Sequence, residues 1–249
     1  MSGSKTRSAL VTGAGSGIGR AITQRLTDDG MQVLAVDLKP DPDGPGEPFA
    51  ADLTTRDGNR AAVERAVAAF GGLDTIVANA GFQHVAPIAE FDEDRWDALL
   101  AILLTSPFLL ARYGWPALAE SGRGRFIAIA SAHALAASPF KAGYVSAKHG
   151  VLGLVRTLAL EGADAGITTA AVCPGFVRTP LVEGQLASQA EAHGMDEDQV
   201  LEDVILAPHA LKRLIEPAEV AEAVRYLLGP GGGAFTGAPL ILDAGWTAR

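Results

Sequence analysis

Residues 7–30 read RSALVTGAGSGIGRAITQRLTDDG, and they decide the fold. RSALVT is a short apolar run, the pattern of a buried strand. From Gly17 onward Ile18, Ile22 and Leu26 recur at helical spacing until Gly30 closes the segment. Between the two stands TGAGSGIG. Glycines there permit a tight turn and let backbone approach a ligand closely. The helix start supplies bare N–H groups and a partial positive charge. Strand, glycine turn and helix in that order suit the phosphates of a dinucleotide. Gly13, Ser16, Gly17, Ile18 and Gly19 are the candidate contacts; the alternative is a turn without a ligand.

Outward from this unit the pattern repeats. MQVLAVD is a second strand ending in Asp37, whose carboxylate can accept bonds from ribose hydroxyls. It would repel a 2′-phosphate, which favours NAD over NADP, with Lys39 nearby weighing slightly the other way. KPDPDGPGEPF must be a loop. FAADLT (49–54) reads as a third strand, after which Asp52 and Leu53 could either meet the adenine or serve ordinary turn chemistry. TTRDGNRAAVERAVAAFGG is a helix with a polar start and a glycine stop. LDTIVANAG is a fourth strand, and Asn79-Ala80-Gly81 at its end lets backbone pass close to a cofactor. A long helix starts near Asp92 and runs past Trp96 into the apolar segment before Tyr113. GRFIAIAS, ITTAAVCPG and GAPLILDAG are further strands, and EPAEVAEAVRYLLG is a helix with Pro217 at its start. This alternation predicts an α/β fold, a parallel sheet covered on both faces. The length suits one domain over residues 1–249. Residues 186–213 carry a charged, helical pattern.

The chemistry centres on SAHALAASPFKAGYVSAK (131–148). Ser131 ends a strand, at the edge of the sheet where open α/β folds bind ligands. Tyr144 and Lys148 are four apart, hence on one face of a helix. A free phenol titrates near pH ~10. A lysine held close is expected to lower that value, so that Tyr144 can exchange a proton with an alcohol or ketone oxygen. Ser131 would fix the same oxygen. Taken alone, Tyr-x-x-x-Lys also arises by chance; the nucleotide turn gives it meaning.

Bulk properties exclude other classes. The 249 residues carry a formal net charge of −9, with no basic stripe for a nucleic-acid backbone. The single cysteine, Cys173, allows no intrachain disulfide and reads as a buried structural thiol. No His/Cys/Asp cluster has metal spacing. The uncharged runs are shorter than a membrane span, no apolar signal segment precedes the first strand, and cytoplasm is the expected compartment.

Taken together, TGAGSGIG, Asp37, ANAG, Ser131, Tyr144-x-x-x-Lys148 and Pro174-Gly175 resemble the short-chain dehydrogenase/reductase family over nearly the whole chain. The resemblance implies a Rossmann-type, doubly wound sheet of about seven strands, hydride transfer to or from a nicotinamide, and a homotetramer. It implies that Lys148 also binds the nicotinamide ribose. It places Thr179 at the carboxamide, with Pro174, Gly175 and Val177 beside it.

AGFQH, IASAHAL, the lysine three before the tyrosine, YVSAKHGVLG, CPGFVRTPLVEGQ and GWTAR further resemble the bacterial D-3-hydroxybutyrate dehydrogenases. On that likeness Gln83, His133, Lys141 and Gln185 hold a substrate carboxylate, and residues 186–213 form a lid. Read directly, a cation and donors beside the reacting oxygen suit a short anionic substrate. Lys141 could instead be a solvated lysine and His133 a capping residue. His84 and His149 read as packing or surface residues.

Two positions depart from the family pattern. Leu103 stands where an asparagine helps to hold a water of the proton relay. Phe176 replaces a tryptophan, leaving an aromatic wall that could admit a slightly larger acyl chain. Trp246 is expected either to reach a neighbouring subunit's pocket or to pack in the core. The expected activity is NAD-dependent interconversion of (R)-3-hydroxybutyrate and acetoacetate. The alternatives are another hydroxy acid or secondary alcohol, or a nucleotide-binding protein without catalysis.

Overall fold

A computed structural model describes residues 6–248. Within the helix Pro180–His193 the side chains of Gln185, Ala187, Ser188, Gln189, Glu191, Ala192 and His193 lie outside the described set. The elements run β1 (Ser8–Thr12), α1 (Gly17–Asp28), β2 (Gln32–Asp37), β3 (Glu47–Ala50), α2 (Arg56–Phe70), β4 (Thr75–Ala78), α3 (Glu93–Leu100), α4 (Ser106–Glu120), β5 (Arg125–Ile129), α5 (Ala142–Gly162), β6 (Thr168–Pro174), α6 (Pro180–His193), α7 (Glu197–Gln199), α8 (Pro217–Leu228) and β7 (Pro239–Leu242). The seven strands form one parallel sheet in the order β3-β2-β1-β4-β5-β6-β7. The order reverses between β1 and β4, which opens a crevice at their C-terminal ends.

Side-chain alternation along each strand assigns the two faces. Leu10, Leu34, Val36 and Phe126 pack against α2, α4 and α5. Ala9, Val11, Val33, Ala35 and Ile127 pack against α1 and α8. At the N-terminal edge of the sheet the buried Asp74 accepts from Ser8 N (2.7 Å), Ser8 Oγ (3.3 Å) and Arg123 Nε (2.7 Å), while its carbonyl accepts from Arg125 N (2.8 Å). That edge ties β1, β4 and β5 together far from the crevice.

The third strand begins two residues earlier than its expected start and ends at Ala50. It is an edge strand, so Pro48 is tolerated within it. Asp52 then turns the chain, its Oδ1 accepting from Thr54 N and Oγ1. Thr55 caps α2 through Gly58 N. The long helix from Asp92 is continuous but contains a π turn at Ala101–Thr105, where Ser106 N donates to Ala101 O. Pro107 explains it: proline has no N–H for the Leu103 carbonyl, and its ring crowds that oxygen. The segment expected to be helical over 186–213 is helical over Pro180–His193, breaks at 194–196, and resumes at Glu197–Gln199 into a second π turn, Val200–Leu206. Pro208 then stops it, and Lys212 Nζ satisfies the carbonyls of Leu206 and Ala207.

Candidate active site

The crevice holds a cavity of about 530 Å³, within the range of small-molecule sites. Its floor is the glycine turn. Gly13 and Gly17 have φ of +66° and +52°, a region open to glycine at little cost. A Cβ at Gly13 would lie 2.8 Å from Asn79 Nδ2 and 2.9 Å from Ala80 Cα. Ser16 begins α1 in extended backbone and makes no side-chain cap, so the first N–H groups of the helix are left for a ligand. Gly19 differs from its companions. It does not line the cavity, and a Cβ there would stand 2.1 Å from Gly13 O. It serves the packing of helix against strand.

Gly13, Ser16, Gly17, Ile18, Asp37, Asp52, Leu53, Asn79, Pro174, Gly175, Val177 and Thr179 all line this cavity with Ser131, Tyr144 and Lys148. Asp37 Oδ2 accepts from Gly15 N and Oδ1 from Lys39 N, both at 3.0 Å. This fixes a carboxylate at the far end of the cavity. Asn79 Nδ2 donates to Thr12 O (2.9 Å), pinning the loop after β4 to that after β1. Thr179 faces Gly17, its Cγ2 3.1 Å from where a Cβ would stand. The cavity thus offers helix N–H groups for a pyrophosphate, a carboxylate for a ribose and a slot beside Thr179, which fits a nicotinamide dinucleotide.

At the reacting centre Lys148 Nζ donates to Ile129 O (2.7 Å) and stands 5.4 Å from the Tyr144 ring centre. Tyr144 is hydrogen-bonded to Ser131, yet burial pushes the phenol up to about 12. The expected lowering by the lysine does not prevail. The ammonium is committed to a carbonyl, and burial brings Lys148 itself down to about 8. Tyr144 therefore keeps its proton at neutral pH and is poised as a donor. Leu103, buried against Leu99 and Ala147 with Phe82 and Tyr144 beside it, gives this wall no polar side chain.

A small inner hollow of about 50 Å³ adjoins Ser131 and Tyr144, lined also by Gln83, His133, Lys141, Phe176, Leu181 and Val182. Lys141 is 5 % exposed, and no ion pair or hydrogen bond reaches its ammonium among the described residues. Its nitrogen sits over the Phe176 ring at 4.8 Å, and burial lowers it to about 8. Phe140, at φ +67° with its carbonyl accepting from Ala86 N, turns the chain so that Lys141 points inward. Gln83 Oε1 is buried without a partner among the described residues. His133 Nδ1 is 3.3 Å from Ser131 Oγ, and its Nε2 is 3.0 Å from Ser138 Oγ. Burial, with Lys141 beside it, brings His133 down to about 3, so the ring is neutral.

Ser138 carried no signal in the sequence, being one polar residue in a loop. Leu181 and Val182 were equally silent, although they directly follow Thr179. Gln185, expected to complete the carboxylate site, lies outside the described residues. Trp246 stands half-buried against His133 of its own chain, ring centres 5.0 Å apart. His84 meets Phe91 edge-on and His149 is exposed, as expected. Cys173 is fully buried, and burial raises its thiol to about 11.

A family model described as enoyl-(acyl carrier protein) reductase matches residues 13–247. The chain is a short-chain dehydrogenase/reductase. Among curated relatives, the D-beta-hydroxybutyrate dehydrogenase of Rhizobium meliloti (strain 1021) is 39% identical, covering 98% of this chain and 100% of the relative. The enzyme of the same name from Cupriavidus necator is 36% identical, with 98% of each chain covered. Among solved structures, the aldohexose dehydrogenase of Thermoplasma acidophilum in ligand-free form superposes with a TM-score of 0.91 at 26% identity, covering 98% of this chain and 95% of that one. This short-chain dehydrogenase is an oxidoreductase that binds a nicotinamide cofactor and acts on a small molecule.

Proposed function

We propose that the enzyme uses NAD to interconvert (R)-3-hydroxybutyrate and acetoacetate. The observation that carries this reading is the buried Lys141 ammonium. It has no counter-ion among the described residues and lies in the hollow that Ser131 and Tyr144 share. Such a charge is costly unless an anion meets it, and a carboxylate two carbons from the reacting oxygen does so. Gln83, whose amide lacks a partner, adds a donor once its oxygen and nitrogen exchange places. Gln185 is proposed as the fourth member on sequence grounds alone. His133 joins by trading Ser138 for the carboxylate. Asp37, at the ribose end, supports NAD over NADP.

Ser131 orients the carbonyl or alcohol oxygen. Tyr144, protonated at neutral pH, gives its proton to that oxygen during reduction. Lys148 holds the ring's surroundings polar and contributes a donor to the nicotinamide ribose. When bound, the nicotinamide supplies or takes the hydride, and its oxidised form adds a positive charge that favours the phenolate needed for oxidation. Residues 186–213 are proposed as the lid. Within them Val200 and Ile205 pack with Leu214 and Phe176, so closure and the substrate wall move as one.

The test is NAD reduction with each enantiomer of 3-hydroxybutyrate, with Tyr144→Phe as the blank. Turnover confined to the R form and lost in the variant supports the reading. Turnover of neutral alcohols alone defeats it.

A further inference from the structure

A second chamber of about 690 Å³ lies beyond the inner hollow, and it is larger than the cofactor cavity. Lys141 and Phe176 are walls of both the hollow and this chamber. The rest of its lining is largely apolar and includes Leu135, Phe140, Val204, Ile241 and Trp246. Leu135 and Ile241 are 37% and 45% exposed, so large apolar surface faces the chamber uncovered. By contrast, the inner hollow of about 50 Å³ holds little more than the reacting end of a substrate. A four-carbon acid leaves the outer chamber unused.

We propose that the outer chamber is a substrate subsite for the apolar tail of hydroxy acids longer than four carbons. The tail runs from the reacting carbon past Phe176, while the carboxylate stays with Lys141. This rests on the carboxylate reading above and names the substrate class within it. The ammonium at the junction selects a free acid, and the surfaces of Leu135, Phe140, Ile241 and Trp246 reward length. Val204 belongs to the π turn of the lid segment, so a tail in the chamber also touches the segment that closes the site.

The experiment compares kcat/KM for (R)-3-hydroxybutyrate, (R)-3-hydroxyhexanoate and (R)-3-hydroxyoctanoate in the NAD-saturated enzyme. Each buried methylene is worth about a three- to fourfold gain, so the eight-carbon acid is expected to exceed the four-carbon acid by more than tenfold. Ala136→Phe, which fills the chamber from its edge, should erase that advantage while leaving the four-carbon rate unchanged. Ala137→Phe, at the next lining position of the chamber, gives the same readout if the first variant folds poorly. An eight- to four-carbon ratio below ten in the wild type overturns the proposal, as does a variant that depresses both acids alike. Turnover of the eight-carbon acid's simple thioester in preference to the free acid also overturns it. Failure of every acid, with neutral alcohols still oxidised, would instead defeat the carboxylate reading itself.

Discussion

Replacing Lys141 by methionine should make the ligand-free protein more stable and the enzyme worse. The ammonium is 5 % exposed, and burial lowers it from 10.5 to about 8. That difference corresponds to about 3 kcal/mol of unfavourable burial for the charged form. Methionine keeps the length of the side chain and removes the charge, but forfeits the contact with the Phe176 ring, worth about 1–2 kcal/mol. The net gain is about 1–2 kcal/mol, or roughly 2–8 °C in Tm for a chain of this length. The sign with pH is fixed. The unfolded lysine holds its proton up to 10.5 and the folded one only to about 8. The penalty is therefore full below 8, shrinks between 8 and 10.5, and is gone above. Thermal melts of both proteins at pH 7 and pH 10 read this directly, and the Tm gap should close at the higher pH.

In the same variant, kcat/KM for an acidic substrate should fall ten- to a hundredfold, since a hydrogen bond to a charged group contributes about 1.5–3 kcal/mol. A neutral secondary alcohol should be unaffected. A variant less stable than wild type, with a gap indifferent to pH, would refute the reasoning about burial. An equal loss on neutral and acidic substrates would refute the reasoning about the anion.

Asp37→Ala should lower the preference for NAD over NADP by about tenfold or more in kcat/KM, because one carboxylate is removed from the ribose end; an unchanged ratio would place the ribose elsewhere. Leu103→Asn should preserve or raise turnover while costing about 1–3 kcal/mol in denaturant melts, since the amide enters an apolar wall; a large loss of rate would show a differently organised site. His133, held neutral with its value brought down to about 3, should cost stability only as pH falls from 6.5 toward 3. Acid titration of His133→Asn should show a shallower decline than wild type over that window.

The fold was legible because its signals are local. Glycine punctuation and the change from strand to helical periodicity located every strand but one, and β3 slipped because a proline inside an edge strand looks like loop. The π turn at Ala101–Thr105 was hidden for a similar reason: Pro107 reads as a helix-tolerant residue unless its lost donor is counted. At the site, residue types were readable and their electrostatics were not. Gly13, Asp37, Ser131, Tyr144 and Lys148 converge as their spacing implied. Yet the phenol rises where a nearby lysine suggested it would fall, because burial is contributed by residues distant in sequence, Phe82, Leu99 and Leu103 among them. Likewise the bond between His133 and Ser138 and the outer chamber depend on a loop whose path no periodicity encodes.

The Asp74 junction has a consequence for how such a molecule can change. Its hydrogen bonds stitch the rim of the sheet opposite the crevice, so cohesion and recognition are housed at opposite poles. Loops on the open pole can be lengthened, shortened or exchanged with little toll on folding. One architecture can thereby be refitted for new alcohols without being rebuilt.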